Sequence, residues 1–386
     1  VSRSKGIPLY QQIQQYLIQE INSRNLGPDH KLPSESEIAE LFKVSRLTVK
    51  NALKDFVNQG AIYRIQGKGT FLASDFSGQV ATPTRLVAAP SPQSDKLVAC
   101  LLPVAFTTRT LNLLNGIEER LAKHGYRMIF VKTNQSREVE NRLIQEMLAL
   151  KVAGMIIYPV EAEAFSEEVL RLTLNHYPLV VVDRYLRGVE TNCVSTDNVQ
   201  GAMDAVNHLI ELGHTQIGFI ATPHKGISSI EDRLAGYELA LSQHNFPIDH
   251  RLRHFHLVTG KVNSILHTGE CDGEIKRKLQ QFLQQNPDMT AVMAINSSIG
   301  LSVIQAAAEL GLRIPDDLSV IFFDDYELSV FSRIPPTVIS QQEYMIGTEA
   351  AELVVSLIDN PDQARRKSEI PARLIVRQST GAVSGK

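Results

Sequence analysis

The 386-residue sequence predicts an α/β protein that begins with a winged helix-turn-helix. Three observations predict it. The first is a pair of capped amphipathic stretches in fixed order, Leu32-Pro33-Ser34-Glu35-Ser36-Glu37 and Val44-Ser45-Arg46-Leu47-Thr48-Val49. The second is a glycine-flanked turn, Gln66-Gly67-Lys68-Gly69, between two short apolar runs. The third is the alternation of apolar runs with helical patterns from Leu97 onward, the signature of a parallel sheet covered by helices.

In the head, Pro8 opens a helix at a position where its missing N–H costs nothing. Leu9, Ile13, Leu17 and Ile21 follow on one face, and Gly27-Pro28 ends the helix. Ser34 with Glu37 reads as a capping box in which hydroxyl and carboxylate each satisfy an orphan N–H. It opens a helix near 34–42 that buries Ile38, Leu41 and Phe42. Ser45 caps a third helix whose apolar positions are Val49, Ala52, Leu53, Phe56 and Val57, with Gly60 as its stop. Arg46, Thr48 and Lys50 cluster in its first turns, away from that stripe, as the residues of a recognition helix do. Arginine pairs bidentately with guanine, and threonine and lysine suit phosphates or a thymine methyl. Ala61–Ile65 and Thr70–Leu72 then read as strands. Gly67 and Gly69 let the turn approach a groove, and Lys68 puts charge at its tip.

Either piece alone is as readily an ordinary capped helix pair or a glycine-rich hairpin. In this order, the two pieces imply DNA. Residues 7–73 resemble the GntR family of bacterial regulators through Pro-Leu-Tyr-Gln-Gln-Ile, Leu-Pro-Ser-Glu-Ser-Glu-Ile-Ala, Val-Ser-Arg-Leu-Thr-Val-Lys-Asn-Ala-Leu and Gly-Lys-Gly-Thr-Phe. The resemblance implies that Ser34 and Glu35 lie near the DNA backbone, that Arg46 and Thr48 enter the major groove, and that Gly67 to Gly69 form the wing tip. Ser45, Lys50, Gln66, Lys68 and Thr70 complete the expected contact set.

Charge agrees with that division. Residues 1–75 carry +3 and the remainder −6, a mildly basic head on an acidic body. No run of 18 apolar residues is present, so no membrane helix is expected. The start of the chain leads into an amphipathic helix and not a signal-peptide core. Cys100, Cys193 and Cys271 are odd in number and far apart, which fits reduced thiols in a cytoplasmic protein. Residues 74–95, with Pro83, Pro90 and Pro92 among small polar residues, read as a semi-extended linker between a head at 1–73 and a body at 96–386.

In the body, strands are expected at Leu97–Pro103, Arg127–Thr133, Ala153–Tyr158 and Leu179–Asp183. A second α/β unit adds strands at Gln216–Ala221, His254–Leu257, Ala291–Ile295 and Leu318–Phe323. Ligands of open α/β sheets bind beyond the carboxyl ends of strands, which singles out Asp183-Arg184, Asn296 and Asp324. These residues accompany Asp197-Asn198-Val199-Gln200-Gly201, Leu212-Gly213-His214-Thr215-Gln216-Ile217, Asp232-Arg233-Leu234-Ala235-Gly236-Tyr237, Pro315-Asp316-Asp317-Leu318-Ser319-Val320 and Pro335-Pro336-Thr337-Val338. Over about 97–378 the set resembles the LacI/GalR effector domain, a type I periplasmic-binding-protein-like fold.

That resemblance implies two lobes joined by crossovers near 196, 325 and 341. The N-lobe would be about 97–195 plus 326–341, and the C-lobe about 196–325 plus 342–380. It assigns hydroxyl-binding roles to Asp183, Arg233, Asn296 and Asp324, adds Gln341 at a crossover to the effector-binding set, and lets Phe106 lie against a sugar face. Arg184 joins the set as a strand-end group. The alternative is that Asp183–Arg184 and Asp324–Asp325 are structural caps and ion pairs. Two departures from the family pattern, Ser297 after Asn296 and Phe322 before Phe323-Asp324-Asp325, bear on ligand identity and not on fold.

A GntR head on this body resembles regulators of L-arabinose use, so the expected protein is a sugar-responsive repressor. It would bind double-stranded operator DNA as a homodimer and release it on binding L-arabinose, another sugar, a sugar phosphate or a small metabolite. No cofactor is expected. An enzyme reading finds no G-x-S-x-G, P-loop or H-E-x-x-H. His254 and His256 on one strand face hint at a metal, but nothing nearby completes a site. A sugar-binding protein without a regulatory role is the remaining alternative.

Overall fold

The computed structural model describes residues 26–58, 61–65, 69–73, 96–103, 108–160, 166–223, 225–326 and 329–383, with residues 13, 16, 17, 20 and 21 of the first helical stretch. The chain divides into two compact units, Val1–Pro92 and Gln93–Lys386.

In the first unit, helices Glu35–Phe42 and Arg46–Asn58 precede an antiparallel hairpin of β1 (Ile62–Ile65) and β2 (Gly69–Leu72). The Ser34–Glu37 capping box forms in both directions. Lys43 turns the chain in the left-handed region (φ 53°) between the two helices. Ile13, Leu17, Ile21, Ile38, Phe42, Val49, Leu53, Phe56, Ile62 and Leu72 share one core. Leu41 and Val57, expected inside, are exposed. Ile38, Ala39 and Phe42 already fill the inner face of the short helix, and Leu41 falls off that stripe.

The second unit holds two lobes. The N-lobe sheet consists of β3 (Leu97–Leu102), β4 (Arg127–Lys132), β5 (Gly154–Ile157), β6 (Leu179–Val182) and β7 (Cys193–Thr196). The C-lobe sheet consists of β8 (Ile217–Ile220), β9 (Arg253–His254), β10 (Ala291–Ala294), β11 (Ser319–Phe323) and β12 (Thr337–Ser340). Two late strands complete them. β13 (Lys367–Ile370) joins β7 in parallel, and β14 (Arg373–Ile375) joins β12 antiparallel. Strand orders are β13-β7-β6-β5-β3-β4 and β14-β12-β11-β10-β8-β9, so each lobe winds outward from a switch point beside its first strand.

The apolar runs are continuous because the N-lobe sheet is covered on both faces. Cys100, Leu102, Ile156, Val180 and Val182 face helices Thr108–Lys123 and Glu343–Asp359. Leu101, Met155, Ile157 and Val181 face helices Arg137–Ala149 and Glu167–Leu174. Cys100, Cys193 and Cys271 are buried and unbridged.

The lobe boundaries correct the sequence reading. Residues 326–341 were expected in the N-lobe, but β12 pairs with β11 in the C-lobe sheet. Residues 342–380 were expected in the C-lobe, but helix Glu343–Asp359 packs on β5, β6 and β7, and β13 extends the N-lobe sheet. The chain therefore crosses between lobes at Thr196–Asn198, Ser340–Glu343 and Ile370–Arg373, and not near 325. The expected strand His254–Leu257 shrinks to β9. Phe322 is accommodated by Gly300, since a Cβ there would lie 2.0 Å from its ring.

Burial also makes the fold sensitive to acid. It pulls the His254 imidazole down to about 4 and lowers His214 and His208 as well, each from an ordinary value of 6.5. The unfolded chain therefore takes up protons first. The stability these neutral histidines support is complete above pH 6.5 and is lost as pH falls toward 4. A urea midpoint lower at about pH 5 than at about pH 7.5 is the expected result. A His254→Phe variant should show a weaker dependence, and an unchanged slope in that variant would count against this assignment.

Candidate functional site

The head exposes the start of its second described helix. Ser45 caps helix Arg46–Asn58, its Oγ accepting from the Thr48 N–H at 3.1 Å and pairing with the Thr48 hydroxyl at 2.9 Å. Arg46 and Lys50 are exposed beside it. Glu35 pairs with Arg64 of β1 at 2.8 Å, which neutralises a carboxylate expected to face phosphates. Gly69 takes φ +125°, a conformation that residues with a Cβ rarely adopt, so the backbone calls for glycine there. Gln66, Gly67 and Lys68 lie outside the described residues. Thr70 departs from expectation: it is buried in β2 and its carbonyl accepts from Leu32 N, a structural role. Ser45→Ala should cost about 1 kcal/mol of head stability through loss of the cap. Calorimetry of the head transition checks this, and an unshifted transition would contradict it.

The body holds a cleft of about 370 Å³ between its lobes, lined from both sides. Asp183 ends β6 and Asp324 ends β11, both in the left-handed region (φ 69° and 75°), where aspartate is better tolerated than most residues. Each anchors its backbone to the next strand, Asp183 N to Val194 O and Asp324 N to Ile339 O, both at 3.0 Å. The two lobes thus present matching carboxylates at matching strand ends.

Three arginines, Arg109, Arg184 and Arg233, line the same cleft. Arg184 lies over the Tyr158 ring, 5.2 Å from its centroid, with Nε 3.5 Å from Asp183 Oδ2. Arg233 is buried. It donates from Nε to Asn198 Oδ1 at 2.8 Å and from Nη1 to Ile295 O at 2.6 Å, and stacks 3.9 Å above Phe323. Burial lowers its pKa. Asn296 caps helix Ser297–Glu309, accepting from Ile299 N at 3.0 Å, and also lines the cleft.

Gln341 departs from its expected ligand role. It is buried beneath the crossover, accepts from the Thr196 hydroxyl and donates to Asp324 Oδ1, and it is not among the cleft-lining residues. It holds Asp324 from behind. Phe106 lies outside the described residues.

Sequence reasoning missed Arg109, Tyr158 and Glu343. Arg109 donates to Asp183 at 3.3 Å, to Asp324 at 2.8 Å and to Glu343 at 3.0 Å. Burial works against its charge, but Asp324, Asp183 and Glu343 outweigh it and hold its pKa well above the ordinary value. Burial raises Glu343 and Tyr158. Tyr158 directly follows β5, so the strand-end rule that found Asp183 would have found it. Among the described residues, no cluster of His, Cys, Asp or Glu is placed to hold a metal ion, and no helix is long and apolar enough to cross a membrane. His254 meets His256 edge-on at 5.7 Å and Phe282 at 5.2 Å, a packing contact.

A winged helix-turn-helix joined to a two-lobed body with a polar cleft defines the class of ligand-binding transcriptional regulators. Residues 9–72 match the bacterial regulatory proteins of the gntR family, and residues 206–380 match the periplasmic binding protein-like domain. The arabinose metabolism transcriptional repressor of Geobacillus stearothermophilus is 30% identical over 98% of this chain and 99% of its own. A repressor of the same description from Halalkalibacterium halodurans is 26% identical over 95% and 96%. The fold is also that of a LacI family regulator from Enterococcus faecium with bound ribose, with a TM-score of 0.59, 23% identity and coverage of 75% of this chain and all of that one. The chain belongs to the gntR family of bacterial transcriptional regulators, with a periplasmic-binding-protein-like body.

Proposed function

We propose that the protein is a sugar-responsive transcriptional repressor whose effector is L-arabinose. The observation that carries this reading is the convergence of Asp183, Asp324, Asn296 and three arginines on one cleft beyond the strand ends of both lobes. Carboxylates and guanidiniums of this kind bind adjacent sugar hydroxyls in pairs. The two arabinose repressors that match nearly the whole chain supply the choice of sugar. Ribose in a regulator of the same fold supports a pentose-sized occupant.

The repressor acts in the cytoplasm as a homodimer, placing two heads on a pseudo-palindromic operator. Arg46 and Thr48 read bases, while Ser34, Ser45, Lys50 and the wing residues hold the backbone. The sugar favours one lobe arrangement by its differential affinity, so sugar and operator occupancy oppose each other reciprocally.

The test begins with operator sequences selected from a random duplex pool by the full chain. L-Arabinose should release the selected DNA, and Arg46→Ala should bind it no better than unselected DNA while still binding sugar. Retained operator preference in Arg46→Ala would remove that residue from base reading. Tighter DNA binding with L-arabinose would remove the repressor assignment.

A further inference from the structure

We propose that Arg109 sets the charge class of the effector: it is the cation shared by three cleft carboxylates and, together with Arg184 and Arg233, balances their charge, so that the cleft accepts an uncharged polyhydroxyl compound and rejects phosphorylated or amine-bearing analogues. The proposal rests on the sugar-effector reading and narrows it.

Three carboxylates from three separate elements meet one guanidinium. Asp183 ends β6, Asp324 ends β11 and Glu343 opens helix Glu343–Asp359, and each takes a different nitrogen of Arg109. Carboxylates gathered this closely do not all stay ionised without a cation among them. The other cleft arginines do not replace it. Arg184 pairs with Asp183 and lies over Tyr158, while Arg233 is turned to Asn198 and Ile295. Asp325 has its own partner in Arg377, at 2.6 Å.

With Arg109 present, Asp183, Asp324 and Glu343 balance Arg109, Arg184 and Arg233. A phosphate would have to strip Arg109 or Arg184 from its carboxylate, or Arg233 from Asn198 and Ile295, and in each case a dianion would lie beside the cleft carboxylates. An ammonium would find each carboxylate already engaged. A hydroxyl both donates and accepts, so it leaves the balance intact: it gives its proton to a carboxylate lone pair and accepts one of the Arg109 N–H groups not used by the three acids. Gln341, donating to Asp324 from the crossover side, keeps that acid in place for the exchange.

The experiment is thermal shift of the full chain and of Arg109→Met, with L-arabinose, D-galactose, D-arabinose 5-phosphate, D-galactosamine and calcium ion alone. The intact protein should be stabilised by an uncharged sugar and by none of the other three probes. Arg109→Met should need at least about tenfold more of that sugar. It should gain stabilisation by calcium or D-galactosamine, because Asp324 and Glu343 lose the cation they share and the cleft is left one positive charge short. Arg109→Lys keeps one positive charge. It should bind the sugar more weakly without gaining the calcium response, and it serves where Arg109→Met does not fold.

An unchanged sugar response in Arg109→Met overturns the proposal, as does a preference of the intact protein for the phosphate. Loss of sugar response with no gain of cation response also overturns it, leaving Arg109 a simple donor. If no sugar stabilises the intact protein yet Arg109→Met gains calcium binding, the sugar reading falls and the charge-balancing role stands. If neither occurs, both fall.

Discussion

Arg233→Ala is expected to abolish the effector response and to destabilise the body by about 3 kcal/mol or more. The side chain is 5% exposed and fills three roles at once. It satisfies Asn198 Oδ1 and Ile295 O, at 2.8 and 2.6 Å, and covers the Phe323 ring at 3.9 Å. Truncation leaves two buried acceptors without a donor and opens a void beside an aromatic ring, and each costs stability on its own. Asn198 opens the first helix after a lobe crossover and Ile295 follows β10, so the loss loosens the C-lobe wall of the cleft. Denaturant unfolding reads the first effect and sugar-driven operator release reads the second. A variant as stable and as responsive as the parent would contradict both. Arg233→Lys, which keeps the charge without the planar fork, should fall between the two.

Gly347→Ala is expected to cost about 3 kcal/mol and to weaken effector binding. Helices Thr108–Lys123 and Glu343–Asp359 touch backbone to backbone through a reciprocal glycine pair. A Cβ on Gly347 would lie 2.2 Å from Leu113 O, and one on Gly116 would lie 2.2 Å from Tyr344 O. No rotamer relieves a collision with backbone, so the helices must separate. Arg109 and Glu343 ride on these two helices, and their 3.0 Å bond lengthens as the helices part. The variant should therefore lose melting temperature and sugar affinity together. Gly260→Ala, where a Cβ meets nothing within 4 Å, is the control and should be near neutral. Equal stability of the two variants would show that the close approach is unimportant.

Much of this architecture was legible because its central strands are buried on both faces. Leu97–Leu102 and Ile217–Ile220 read as apolar runs whatever their neighbours are. β13 and β14 were not legible. Each lies at a sheet edge with polar or exposed residues, Lys367-Ser368-Glu369-Ile370 and Arg373-Leu374-Ile375, and each depends on a partner strand far away in sequence. The misplaced lobe segments have the same origin. Thr337-Val338-Ile339 suits either sheet by composition, and only its pairing with Ile321-Phe322-Phe323 decides.

In the cleft, Asp183 and Asp324 were legible because a polar residue at the end of an apolar strand has few structural uses. Arg109 and Glu343 were not, since each sits in the first turn of a helix, where charged residues are ordinary. Thr70 shows the converse: a polar residue in a promising motif whose short side chain fits inside a hairpin.

Isothermal titration of L-arabinose into the full chain, beside Asp324→Asn, tests the central claim most directly. Saturable heat with one site per chain is expected, removed or strongly weakened in Asp324→Asn, because that carboxylate lines the cleft and holds Arg109 at 2.8 Å. No heat with L-arabinose in the intact protein, or equal binding by Asp324→Asn, would contradict it.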